Sequence, residues 1–276
     1  MAEYMVGMIG AGNMAEALLR GAFDASILTP SQILVTNKSN DERLARLGRE
    51  WPVCTTRDKA RLVAESDVLV LAVKPHDMST VLAEIAPHTG PRHLVVSVAA
   101  GISTEMIERR LGEIPVIRAM PNTSTAVRAS ATAIAAGRHA TAGHLALARG
   151  LFEAVGWVGV VPEPLLDVVT AVSGSGPAYV YALAEALMES GERAGLPRDL
   201  AQILVAQTVL GAGKMLTETG DGPQVLRGRV TSPGGTTMAG LEALEQGGLR
   251  AAVDAAVTRA AQRARELRDP PVRSRR

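Results

Sequence analysis

Gly10-Ala11-Gly12-Asn13-Met14-Ala15 follows the β-branched run Tyr4–Ile9 and opens a helix-like stretch. This is the G-x-G-x-x-A spacing that cradles the pyrophosphate of a dinucleotide. Each small residue has a separate task. Gly10 permits a tight turn, Gly12 lets the backbone approach the phosphates, and Ala15 allows the helix to sit close to a sheet. The amides at the helix start then face the anion. Ile9, Gly10, Ala11, Gly12, Asn13 and Met14 are therefore expected to contact the cofactor.

Sites that prefer NAD end their second strand in an acid that binds the ribose 2′-hydroxyl. Here the run Gln32–Thr36 ends in Asn37-Lys38-Ser39, with no acid until Asp41. Three hydrogen-bond donors suit a 2′-phosphate, and a charge-assisted bond of this type contributes about 1.5–3 kcal/mol. NADPH is thus the expected cofactor, with NADH as the alternative; the bland reading of the segment is a polar loop. Ala72-Val73-Lys74-Pro75 ends the next long strand. Ligands of open α/β sheets bind beyond the carboxyl ends of strands, which puts Lys74 at the crevice unless it is a solvated surface lysine. Ala99 and Ala100 end the following strand and are small enough for a flat ring to pack on them.

Two further glycine segments precede long helical stretches. Ser173-Gly174-Ser175-Gly176-Pro177 reads as a helix start with Pro at the first position. Thr231-Ser232-Pro233-Gly234-Gly235-Thr236-Thr237 carries more hydroxyls than a cap needs. Its amides and the Ser232 and Thr237 hydroxyls could converge on one carboxylate or phosphate. Ser232, Gly235, Thr236 and Thr237 are the candidate substrate-binding residues, with Ser232 and Thr237 closest to the chemistry. The five histidines (His76, His88, His93, His139 and His144) are scattered; His76 lies nearest the expected crevice. No metal site is expected.

The elements that must position these residues alternate in the first half. Strand-like runs Tyr4–Ile9, Gln32–Thr36, Val68–Val73, Leu94–Val98, Val116–Ala119 and Ala131–Ala136 are separated by helix-like Met14–Ala25, Asp41–Glu50, Met78–Ala86 and Thr104–Arg110. Such alternation predicts a parallel sheet covered on both faces. After about Val161 the pattern becomes helical, over residues 177–193, 198–218 and 236–268, with Pro162-Glu163-Pro164 as the boundary. Ala178–Ser190 is apolar nearly all round, which calls for partners on several sides and points to a subunit interface. The basic tail from Asp269 to Arg276 reads as frayed.

Composition excludes other classes. The 276 residues are 47% hydrophobic with a net charge of +1, which is wrong for a disordered chain. Near-neutral charge and only 3% aromatic residues argue against nucleic-acid binding. No apolar run approaches the ~18 residues needed to span a bilayer, so no membrane partner is expected. The single cysteine, Cys54, and an N-terminus without a secretory pattern fit a cytoplasmic protein.

Taken together, Ile9-Gly10-Ala11-Gly12-Asn13-Met14, Ala72-Val73-Lys74-Pro75, Arg118-Ala119-Met120-Pro121-Asn122-Thr123, Ser173-Gly174-Ser175-Gly176-Pro177-Ala178-Tyr179 and Val230-Thr231-Ser232-Pro233-Gly234-Gly235-Thr236-Thr237 resemble the pyrroline-5-carboxylate reductase family. They run nearly the whole chain in the family's order. The resemblance implies an α/β Rossmann-like NADP(H)-binding domain over residues 1–161 and an all-α dimerisation and substrate-binding domain over residues 162–276. It implies a homodimer, assembled into a decamer, whose active site is completed by the neighbouring subunit's Ser-Pro-Gly-Gly-Thr-Thr loop. It implies hydride transfer from the cofactor to the imine carbon of Δ1-pyrroline-5-carboxylate, giving L-proline. Glu163 aligns with an acid near the nicotinamide in some members. The chain departs from the family at Ser124, where proline is frequent, near Ser130, where glycine is frequent, and at Lys59, where an asparagine commonly approaches the adenosine ribose; a lysine there strengthens the expectation of NADP. Two other readings stay open. A β-hydroxyacid dehydrogenase would use a helical lysine, for which Lys214 is available. A non-catalytic dinucleotide sensor would need no substrate loop.

Overall fold

A computed structural model describes residues 4–268. The tail from Asp269 to Arg276 lies outside the described residues. One sheet holds eight strands: β1 (Val6–Ile9), β2 (Ile33–Thr36), β3 (Cys54–Thr55), β4 (Val68–Leu71), β5 (Leu94–Ser97), β6 (Val116–Met120), β7 (Ser130–Ala136) and β8 (Gly156–Val160). Their order is β3-β2-β1-β4-β5-β6-β7-β8. Between them run α1 (Asn13–Asp24), α2 (Asp41–Glu50), α3 (Lys59–Ala64), α4 (Met78–Ile85), α5 (Thr104–Leu111) and α6 (Ala142–Glu153). Beyond β8 come α7 (Leu166–Val169), α8 (Gly176–Arg193), α9 (Arg198–Glu218), α10 (Pro223–Arg229), α11 (Thr236–Gln246) and α12 (Leu249–Arg268). The fold is α/β Rossmann-like in its first part and helical in its second.

The strand alternation explains why β4 is apolar throughout. Val68 and Val70 face one layer with Ala15, Leu18 and Leu19 of α1 and Phe152 of α6. Leu69 and Leu71 face the other, with Leu62 and Val63 of α3 and Val81, Leu82 and Ile85 of α4. A strand covered on both faces has no polar side to show. The sheet is parallel from β3 to β6, but β7 runs antiparallel to β6, and β8 follows β7 in parallel. The expected all-parallel sheet is thus corrected at its last two strands. The physical reason is the short link: Thr123–Val127 forms a single tight 3-10 turn between β6 and β7, and a parallel neighbour needs a crossover of a dozen or more residues.

The described residues divide into two compact units, one running to Ser175 and resuming at Arg259, the other spanning Gly176–Thr258. The packing division therefore differs from the 161/162 boundary read from the prolines. In the second unit Ala201 alone is fully enclosed, while Leu183, Leu187, Ile203, Leu210, Leu216 and Val253 stand exposed. These helices have apolar surface and no core of their own. Among the described residues α9 alone is long and apolar enough to cross a membrane by length and composition, which corrects the expectation that no run approaches that length. The single helix expected over residues 236–268 is broken at Gly247-Gly248, where Gly248 takes φ 77°.

Gly21 of α1 shows how tightly the first unit is closed. A Cβ there would stand 2.1 Å from Cγ1 of Val155. Helix propensity alone predicts that Gly21→Ala adds about 1 kcal/mol of stability. The packing predicts the opposite sign, a loss of about 1–3 kcal/mol in a denaturant titration. A midpoint raised by the substitution would contradict the contact.

Candidate functional site

β1 ends at Ile9, in register with Thr36 of β2 and Leu71 of β4. Gly10, Asn37 and Ala72 therefore leave the sheet side by side, at the point where the strand order reverses. Gly10 adopts φ 110°. Its N–H donates to the Thr36 carbonyl at 2.9 Å. A Cβ on Gly10 would stand 2.4 Å from the Ala72 carbonyl oxygen, so no side chain fits without parting β1 from β4. Gly12 differs: its backbone is extended, it caps α1 without a side-chain bond, and a Cβ on it would meet nothing within 4 Å. The first bond of that turn runs from the Glu16 N–H to the Gly12 carbonyl at 3.0 Å. The amides of Asn13, Met14 and Ala15 precede it and lie at the positive end of the helix. Ala15 is fully buried against the sheet. An open approach over uncapped amides fits a pyrophosphate. The Asn13 side chain itself is engaged, its Oδ1 accepting from Arg43 at 2.9 Å.

A cleft opens beyond these strand ends, walled by Gly10, Thr36, Val73 and Val81 and rimmed by Lys38, Lys59, Asp77 and Glu84. The two rim lysines, Lys38 and Lys59, each have a carboxylate partner. Lys38 Nζ donates to Asp77 Oδ1 at 2.8 Å, and Lys59 Nζ stands 3.0 Å from Glu84 Oε2. Arg57, beside Asn37, donates from Nε to Asp41 Oδ1 at 2.8 Å and from Nη1 to the Asn37 carbonyl at 2.7 Å. The Asn37 amide is committed to the loop, donating to the Asn40 carbonyl at 2.7 Å and accepting from the Asn40 N–H at 3.0 Å. Ser39 and Lys74 are exposed. The bond to Lys38 holds the Asp77 carboxyl below the usual carboxylate range, and the same bond raises the Lys38 ammonium. Both stay charged through neutral pH; the attraction fades only when acid protonates Asp77 or base deprotonates Lys38. Sequence reasoning missed Arg57, Asp77 and Glu84. The available signal was the acid three residues after Lys74.

Ala99 is buried and Ala100 half-buried at the exit of β5. Gly101 then takes φ 71°, and a Cβ on it would lie 3.0 Å from Cβ of Leu267 in α12. The segment Ser173–Pro177, expected as a helix start, is entered through a π-helical turn over Thr170–Gly174, in which the Ser175 N–H reaches the Thr170 carbonyl at 2.8 Å. Pro177 is accordingly the second residue of α8, not its first. The turn is tied to the Asn122 segment, whose Nδ2 donates to the Ser173 carbonyl at 3.0 Å. Turns of this kind are frequent at functional sites.

In the second unit the loop before α11 repeats the logic of the first. Gly234 takes φ 69°. Gly235 caps the eleven-residue α11 with no side-chain bond. A Cβ on Gly235 would stand 2.5 Å from Ser232 Oγ, so the hydroxyl closes over the cap. The first bond of this turn joins the Ala239 N–H to the Gly235 carbonyl at 3.3 Å. Thr236 and Thr237 thus present early amides at a helix N-terminus, with Thr237 half-buried. Lys214 is exposed on α9.

Residues 163–267 match the family model described as pyrroline-5-carboxylate reductase dimerisation, and residues 5–101 match one described as NADP oxidoreductase coenzyme F420-dependent. A pyrroline-5-carboxylate reductase of Bacillus spizizenii is 43% identical over 265 residues, covering 96% of this chain and 89% of that one. The chain belongs to the pyrroline-5-carboxylate reductase family. The solved reductase of Coxiella burnetii has a TM-score of 0.91 at 40% identity, covering 96% of this chain and 98% of that chain. The pyrroline carboxylate reductase of Plasmodium falciparum, solved with NADP bound, has a TM-score of 0.86 at 28% identity, covering 97% and 99%.

In this member of the reductase family Glu163 has a full set of partners. Its Oε1 accepts from the Thr104 N–H at 2.8 Å and its Oε2 from the Thr104 hydroxyl at 2.5 Å, at the start of α5. Arg118 Nη1 stands 3.4 Å from Oε1. Arg118 and Asp167 are both 1% exposed and 3.8 Å apart. Asp167 also accepts from Arg268 of α12 at 2.6 Å. Glu163 therefore holds the entrance of α5, just past Ala99-Ala100. Breaking a buried pair from one side strands the other charge. Arg118→Met is expected to lower stability by about 3–5 kcal/mol, read as the denaturant midpoint multiplied by its slope. A change below about 1 kcal/mol, the scale of a surface pair, would contradict this account.

Proposed function

We propose that this chain reduces Δ1-pyrroline-5-carboxylate to L-proline, using NADPH in preference to NADH. The observation that carries the reading is the pair of glycine-led, uncapped helix N-termini, one at α1 and one at α11, in a chain of this family. Two such termini suit two anions: the pyrophosphate of a dinucleotide and the carboxylate of the substrate. Likeness to reductases over nearly the whole chain favours this reading over a β-hydroxyacid dehydrogenase acting through Lys214 and over a cofactor sensor.

The local geometry supports the following roles. Gly10, Ala11, Gly12, Asn13 and Met14 cradle the pyrophosphate, while Lys38 and Ser39 reach the 2′-phosphate. Ala72, Val73, Lys74 and Pro75 border the cofactor at the exit of β4, and Ala99 and Ala100 leave room for the ring. Bound NADPH supplies the hydride, and the chemistry of its transfer belongs to the cofactor. The Thr236 and Thr237 amides hold the substrate carboxylate, and the Ser232 and Thr237 hydroxyls fix its orientation. A protonated imine is already electrophilic, so the protein's main task is to hold the reacting carbons within about 3–3.5 Å. No strong protein acid is needed.

We place the functional division at residues 1–161 for the cofactor and 162–276 for substrate and assembly. The dimerisation match beginning at residue 163 supports it. The exposed apolar faces of α8, α9 and α12 support a homodimer, and a decamer of five dimers is the assembly proposed beyond it. The lone, exposed Cys54 suits a reducing cytoplasm.

Thr237→Ala tests the clamp. The KM for pyrroline-5-carboxylate is expected to rise about tenfold, the loss of one hydrogen bond to a charged group, with the KM for NADPH little changed. Steady-state NADPH oxidation measures both; unchanged kinetics would remove Thr237 from the site. Light scattering is expected to give at least twice the 28.8 kDa chain mass. A monomer would overturn the proposed assembly.

A further inference from the structure

We propose that the Lys38–Asp77 ion pair sets the cofactor preference, with Asp77 the residue that restrains NADPH and keeps NADH usable. The inference rests on the reading of the cleft as the site of the cofactor's adenosine end. Its starting point is the charge balance. Lys38 meets Asp77 at 2.8 Å and Lys59 meets Glu84 at 3.0 Å. Both rim lysines are thus already neutralised when a 2′-phosphate, which carries about −1.5 to −2 at neutral pH, arrives.

The two partners are unequal in freedom. The Lys38 side chain is 77% exposed, whereas Asp77 is only 22% exposed. Asp77 is anchored in the 3-10 turn Pro75–Asp77 that follows β4, where its N–H donates to the Lys74 carbonyl at 2.9 Å. His76 Nε2 lies 3.4 Å from its second oxygen. When a 2′-phosphate binds, Lys38 can swing to it, but Asp77 stays at the cleft. The phosphate must take the ammonium from Asp77 and then stand near a carboxylate of its own sign. NADH presents a hydroxyl at the same position, and a carboxylate accepts a hydrogen bond from a ribose 2′-hydroxyl. One side chain thus acts in opposite directions on the two cofactors.

The test uses Asp77→Asn and Lys38→Ala with two competitive probes, adenosine 2′,5′-bisphosphate and AMP, beside kcat/KM for NADPH and NADH. Asp77→Asn is expected to tighten the bisphosphate about two- to fivefold, the scale of a solvent-exposed charge pair, and to weaken AMP, whose 2′-hydroxyl loses its carboxylate acceptor. The NADPH/NADH ratio of kcat/KM should rise by a similar factor, with the NADH value falling. An unchanged ratio, or equal shifts for both probes, would overturn the inference. Lys38→Ala separates this from the underlying reading. Weakened bisphosphate with unchanged AMP supports Lys38 as the 2′-phosphate ligand. If Lys38→Ala is selective and Asp77→Asn is not, the counter-ion inference alone fails. If Lys38→Ala moves both probes alike, the 2′-phosphate reading fails with it.

Discussion

Everything in the cofactor half depends on one close approach, that of the backbone leaving β1 to the backbone leaving β4. Where Gly10 passes the Ala72 carbonyl there is no room for a Cβ. That contact aligns the ends of β1, β2 and β4 and makes a single rim of Gly10, Asn37 and Ala72. The glycine loop, the polar loop and the Val73-Lys74 exit can face a common ligand only because the three strands stop together. The two apolar layers, with α1 and α6 on one side and α3 and α4 on the other, hold the strands in that register.

Charge is used differently at the two ends of the first unit. In the interior, Glu163 and Arg268 join β6, the turn after β8, α7 and α12 through the fully enclosed Arg118 and Asp167. Such a cluster is rigid because each charge left alone is costly. At the cleft each pair has one exposed member, Lys38 in one and Glu84 in the other, so it can open more readily when a ligand arrives. The same residue types therefore serve as fixed joints in one place and as exchangeable contacts in another.

Much of this was legible in the residues. The β-branched runs located β1, β2, β4, β5 and β6 to within a few positions, because strands buried on both faces carry little but apolar residues. β3 escaped notice because it has only two residues, and β8 because Gly156 and Gly159 dilute its apolar pattern. The reversal at β7 was readable in principle from the missing helix between it and β6. The glycine positions of both helix starts were legible because backbone freedom and open amides leave a local signature. The ion pairs were not. Lys38 and Asp77 lie 39 residues apart on the exits of different strands, and only the sheet order makes them neighbours. The helix start at Ser173–Pro177 was legible, but not the π turn Thr170–Gly174 that leads into it, because glycines and serines suit a cap and a π turn alike.

The return of α12 to the first unit has a consequence for how the protein is made. The chain passes from the first unit to the helical one at Ser175 and comes back at Arg259. The helical unit is thus an insertion, not an appendage. Leu267 covers Gly101, and Arg268 bonds to Asp167, from the far end of the described chain. During synthesis the α/β unit emerges first, yet these two contacts become available only after the whole helical unit has left the ribosome. Completion of the first-made unit therefore waits on residues made after the whole helical unit, and no single cut in the chain yields it whole.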